Sequence, residues 1–210
     1  MRTRSNVVVG FIAASVLVGL STPASASDVS TPSPSVAVEV LPRDAGNGLY
    51  AVAPNGDRYY FETAPSAAPE VTPFVEPIDR FMCGLAGNED HMVNSWEMDY
   101  VIEGTVRLNC GTATTAGYNH ILDGHADDWQ FWMEDLGLYG ANWDDFMEWT
   151  VGAVLMAPGD YASEGNGKLC FTAPIGIVNP NDGLTWWFDP SIIVSENNRV
   201  VITAYPGSPC

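Results

Sequence analysis

Between Asp127 and Leu136 the apolar residues Trp129, Trp132, Met133 and Leu136 fall at i, i+3, i+4 and i+7, while Asp127, Asp128, Glu134 and Asp135 occupy the other positions. That spacing predicts an amphipathic helix with one buried stripe. A second helix is predicted from Asn142, with Asp144 and Asp145 in its first turn and Phe146, Trp149, Ala153 and Val154 on its buried side, ending at Pro158-Gly159. Beyond Pro158 the period changes to two. Leu169–Ala173, Leu184–Phe188, Ser191–Val194 and Arg199–Tyr205 read as antiparallel strands separated by Gly, Asn, Asp or Pro, and Ser195–Asn198 is a turn that joins the last two as a hairpin.

Ahead of the helices the pattern is shorter. Val36–Leu41, Leu49–Val52 and Arg58–Phe61 cluster β-formers, and Pro54-Asn-Gly-Asp57 is a turn sequence, so residues 36–62 are expected to form a small β-hairpin segment. Residues 27–35 and the Ala/Pro-rich residues 63–78 read as linkers. Tyr100–Ile102 and Thr105–Leu108 look like short extended segments leading to Cys110. The expected class is α+β: helices followed by a C-terminal antiparallel sheet, preceded by the hairpin segment, with the main domain at 79–210.

Composition changes the picture in two ways. Arg2 and Arg4, an apolar run from Val7 to Leu20 and Ala24-Ser25-Ala26 have the form of a secretory signal peptide, so residues 1–26 are expected to be removed and the mature chain to be secreted, with no membrane attachment. Cys83, Cys110, Cys170 and Cys210 are then an even set in an oxidising compartment. Four cysteines allow three pairings, of which Cys83 with Cys110 and Cys170 with Cys210 is the expected one. The formal net charge of -18 repels polyanions, which any nucleic-acid role must overcome.

The candidate chemistry centres on Gly117–His125, which holds two of the three histidines. Asn119 is a good N-cap, so His120 is expected to open a helix where backbone N–H groups attract anions and an imidazole can act as general base. The competing reading is that His120 and His125, five apart, merely pack or cap a short helix that Gly124 interrupts. Thr203 and Tyr205 share a strand face and offer hydroxyls, with Thr185, Lys168, Arg107 and Arg199 as further contacts to substrate. Two imidazoles with Asp123, Asp127 or Asp128 suit zinc chemically, but the five-residue spacing puts the rings on different helical faces, and no metal is expected. No serine elbow, phosphate loop or dinucleotide fingerprint is present, and no cofactor is expected.

Thr105–Gly111, Gly117-Tyr-Asn-His-Ile121 with His125 and Trp129, and Val200–Pro206 together resemble the exported toxin-type ribonuclease domains of the barnase, EndoU, colicin E5 and RelE group. The resemblance spans roughly Arg80 to Pro206. It implies metal-independent RNA cleavage through a cyclic phosphate, with His120 as base or acid, His125 as a second proton-transfer or positioning group, and Thr203 and Tyr205 on the phosphate. It also implies RNA as the partner of an active enzyme, and an immunity protein as a possible second partner. Gly124 stands where such domains often carry a basic residue, and Asp123, Asp127 and Asp128 are acidic. The alternative is a non-catalytic acidic binding protein for a basic protein or a cell-surface polymer.

Overall fold

The computed structural model describes residues 48–61, 74–139, 141–183, 185–208 and 210, all within one compact unit spanning Pro42–Cys210. The signal peptide expected at 1–26, the linker expected at 27–35, the strand expected at 36–41 and residues 62–73 lie outside the described residues. The chain is α+β. In order, the elements are β1 (Tyr50–Val52), β2 (Arg58–Tyr60), α1 (Pro77–Cys83), β3 (Met92–Tyr100), β4 (Ile102–Asn109), α2 (Tyr118–Asp135), α3 (Trp143–Met156), β5 (Asp160–Gly165), β6 (Lys168–Thr172), β7 (Ile175–Val178), β8 (Thr185–Phe188), β9 (Ser191–Ser195) and β10 (Val201–Tyr205).

Helix α3 is the centre of the core, because every residue from Asp144 to Leu155 is buried. A helix covered all round cannot be a surface element. Asn142 is its N-cap and it stops at Ala157, just before Pro158, as the periodicity predicts. Phe146 touches Trp129, Trp132, Trp149, Phe61 and Phe188, so this one ring joins two helices to the β2 and β8 segments. Aromatic rings in such tilted and stacked contacts each bury a large apolar area.

Strands are interleaved with helices, which corrects the expectation of helices followed by a single sheet. The two short extended segments are parts of a long antiparallel ribbon, β3 with β4, that precedes α2. The C-terminal strands divide between two sheets, ordered β10-β9-β6-β5 and β2-β1-β7-β8. The N-terminal hairpin is therefore not a separate module. Ala51 of β1 pairs with Ile177 of β7, and both are fully buried, so the hairpin completes a sheet whose other half lies far along the chain. A hairpin alone buries too little to be stable, which is the physical reason for this docking. The structured domain also begins earlier than residue 79, since Val75 is fully buried and α1 starts at Pro77.

Helix α2 starts at Tyr118 after Gly117 and continues unbroken through Gly124. A mid-helix glycine costs about 1 kcal/mol relative to alanine. Burial of Tyr118, Ile121, Trp129 and Met133 offsets that cost and keeps the helix whole. Asn119 is not the cap. It sits inside the first turn, and its side-chain amide donates to the carbonyls of Cys83 and Gly111, both at 3.1 Å.

Strand β10 ends its sheet, and other elements occupy its outer edge. Arg107 N–H donates to Arg199 O at 2.9 Å, Gly117 N–H to the carbonyls of Val201 and Ile202 at 3.1 Å, and Trp129 Nε1–H to Ala204 O at 3.1 Å. These bonds blunt an edge that would otherwise invite pairing with another chain, and they hold α2 against β10. Two disulfides, Cys83–Cys110 and Cys170–Cys210, tie α1 to the end of β4 and β6 to the C-terminal segment. They agree with an extracellular setting. Among the described residues no helix is long and apolar enough to cross a membrane.

Gly117 has φ 87°, and a Cβ there would collide with the carbonyl oxygen of Asn109. Gly117→Ala is expected to lower stability by about 1–3 kcal/mol in urea unfolding, the usual cost of forcing a side chain into that backbone region. An unchanged midpoint would show that the α2 entry can relax without loss.

Candidate functional site

The structure brings His120, His125 and Tyr205 together. The His120 and His125 ring centroids are 6.4 Å apart at right angles, and the His125 and Tyr205 centroids are 5.0 Å apart. The bonds along β10 explain the meeting, because they fix the first half of α2 beside the last strand. Each imidazole is oriented through Nδ1: His120 toward Ala113 O at 2.8 Å, His125 toward Asp128 Oδ2 at 2.9 Å. A carbonyl can only accept, so Nδ1 of His120 carries a proton and its Nε2 is the basic position of the neutral ring. Asp128 Oδ2 holds the His125 ring through Nδ1, leaving Nε2 turned away from this contact.

Thr203 lies on the same strand face as Tyr205. Thr203 is 9% exposed, and its hydroxyl oxygen is itself buried, with no hydrogen-bond partner. The anion seat expected at the start of α2 is already occupied by protein carbonyls. Asn119 N–H already donates to Cys110 O and His120 N–H to Gly117 O, so these two amides point at protein rather than at a ligand.

The proposed cations are at the other end of β10. Arg107 Nη2 reaches Asn198 O at 3.3 Å, the Arg199 guanidinium lies beside Gly104, and Lys168 pairs in register with Ser195. All three therefore surround the β9–β10 turn, and Arg199 is about 20 Å of extended strand away from Tyr205 at roughly 3.3 Å per residue. Thr185 belongs to β8, in the other sheet. The four are not gathered with the histidines.

A second polar cluster was not singled out from the sequence. Arg80 of α1 donates from Nε and Nη2 to the two oxygens of Asp144, at 2.7 and 2.9 Å, and from Nη2 to Asp145 at 3.1 Å. Tyr118 O–H donates to Asp144 at 2.9 Å, Val75 N–H to Asp145 at 2.9 Å, and His91 Nε2 meets Asp79 at 2.6 Å. Asn94 of β3 donates to Glu148 Oε1, whereas the buried Oε2 has no partner. The paired hydrogen bonds with Asp144 hold the Arg80 proton tightly, and burial followed by the Asp144 charge pushes the Tyr118 hydroxyl up. Asp144, Asp145 and Glu148 sit at i, i+1 and i+4, which is the one trace of a shared polar face in the sequence.

Burial raises the Glu148 carboxyl to about 8, and the charges of Asp145, Asp79 and Asp144 push the same way against the hydrogen bond from Asn94. At neutral pH it is a carboxylic acid that joins β3 to α3 through Asn94. Among the described residues no group of His, Cys, Asp and Glu is placed to hold a metal ion.

The sign of the linkage is fixed. The folded chain keeps the Glu148 proton up to about 8, whereas the ordinary carboxyl value is 4.5. Across that window the unfolded chain binds fewer protons, so the stability from this group is complete below the lower value and is lost as pH rises through the higher one. Urea unfolding between pH 5 and 9 is expected to show this decline, and Glu148→Gln to flatten it. Equal slopes in both proteins would contradict the assignment.

No protein-family model matches the chain, and no curated protein or solved structure matches it.

Proposed function

We propose that this is an exported ribonuclease-type domain that cleaves RNA by metal-independent acid–base chemistry at His120 and His125. The observation that carries the reading is the convergence of His120, His125 and Tyr205 from an early helical turn and the last strand. His120 Nε2 removes the 2'-hydroxyl proton, the oxygen attacks phosphorus, and His125 delivers a proton to the departing 5'-oxygen, leaving a cyclic phosphate. Tyr205, beside His125, contacts the phosphate, whereas the Thr203 hydroxyl is buried beneath it and takes no direct part. Arg107, Lys168 and Arg199 are too distant for the scissile phosphate and would meet a phosphate several nucleotides away.

A second reading is favoured by one observation. The cations surround the β9–β10 turn, while Asp123, Asp127 and Asp128 share α2 with the histidines. That arrangement suits a non-catalytic acidic surface that recognises a basic protein or a cell-surface polymer.

Incubation of the mature chain with single-stranded RNA in excess chelator separates the two. Wild type is expected to produce cyclic-phosphate ends, and His120→Ala and His125→Ala to lose roughly 10²–10⁴-fold in rate, the usual contribution of a positioned acid or base. RNA left intact by the wild-type chain would remove the enzymatic reading and leave the binding one.

A further inference from the structure

The sheet β2-β1-β7-β8 has an unusual outer face. In register, Val52 stands opposite Arg58 and Gly176, and Gly176 opposite Trp187, so these four share one rung. Tyr60 and Tyr50 occupy the next rung on the same face. The indole of Trp187 covers Gly176, where a Cβ would come within 3.1 Å of both its Cζ3 and Cη2 atoms and equally close to Val52 Cγ1. The absent side chain is thus what lets the indole reach across the sheet. Trp187 remains 64% exposed and Tyr60 42% exposed, while the Tyr50 and Tyr60 rings lie 5.7 Å apart and Arg58 sits 5.1 Å over Tyr50. The opposite face carries the fully buried Ala51 and Ile177, so the exposed rings are not needed to close the core.

Size and charge select the occupant. Strands of three or four residues in a four-stranded sheet give a face of about 10 by 14 Å. That is several times smaller than the roughly 800 Å² per partner that a stable protein interface covers. Arg58, already placed over Tyr50, is the one charged side chain on these two rungs, so the face lacks the row of cations that a nucleic-acid backbone requires. Flat rings on a small, open, mainly uncharged surface match the C–H faces of a few consecutive sugar rings. We propose that this face is a docking surface for a neutral polysaccharide chain, with Trp187 as its principal stacking residue. The proposal does not depend on the ribonuclease reading.

The test is depletion of the mature chain from solution by microcrystalline cellulose and by chitin, at low and at high salt. Retention on at least one polymer is expected, with little change between the salts, because stacking does not require counterion release. Trp187→Ala and Gly176→Val, the second of which dislodges the indole, are expected to weaken retention at least tenfold. Intact disulfides and unchanged far-ultraviolet circular dichroism show that the variants fold, and Trp187→Ala, altering an exposed side chain, remains informative if Gly176→Val does not fold. No depletion by either polymer, full binding by Trp187→Ala, or retention that vanishes at high salt would each overturn the proposal.

Discussion

The guanidinium of Arg80 is what allows acidic side chains to enter this core. Asp144 and Asp145 open α3 and are buried, a placement that would be prohibitive for unpartnered carboxylates. A two-pronged contact with Asp144, with one of the same nitrogens also reaching Asp145, supplies both charge and geometry. Because Arg80 is in α1, the same contact fixes the short helix against the central one. The Cys83–Cys110 bridge then carries that position to the end of the β3–β4 ribbon. Glu148 has no comparable cation, which is why it keeps its proton instead.

From this anchor the geometry of the histidines follows in steps. Tyr118 donates to Asp144, so the first residue of α2 is bound to the same cluster. Gly117 and Trp129 bond to the carbonyls of β10, and the helix between them has no freedom to turn away from the last strand. His120 and His125 are carried to Tyr205 by that constraint. The histidine pair and the buried ionic cluster are consequently at two levels of one scaffold, one partly open to solvent and the other closed.

Local signals were legible in the sequence where neighbours in the chain are also neighbours in space. Asn142 as a cap, the Phe146 and Trp149 stripe and the Ser195–Asn198 turn each depend on a few adjacent residues, and each is where the pattern put it. The strands at 168–172, 185–188, 191–195 and 201–205 were readable for the same reason. Their division between two sheets was not, because it depends on Ala51 finding Ile177, a pairing that no local pattern encodes. Asn119 was misread because its amide serves Cys83 and Gly111, which come near only in the folded chain. The meeting of His125 with Tyr205 depends on α2 bonding along β10, which no local pattern encodes, and the Asp144–Arg80 pair was hidden as well: carboxylates in a first helical turn look solvated until a distant arginine is placed beside them.

The pairing of Tyr50 with Val178 also bears on how the chain reaches its folded form. A sheet assembled from such remote segments cannot close while only its first half has been synthesised, and nonlocal pairings of this kind slow folding. The Cys170–Cys210 bond likewise waits for the far end of the sequence. During synthesis the early strands therefore stay open until β7 has emerged, and the last covalent tie forms only when the chain is complete.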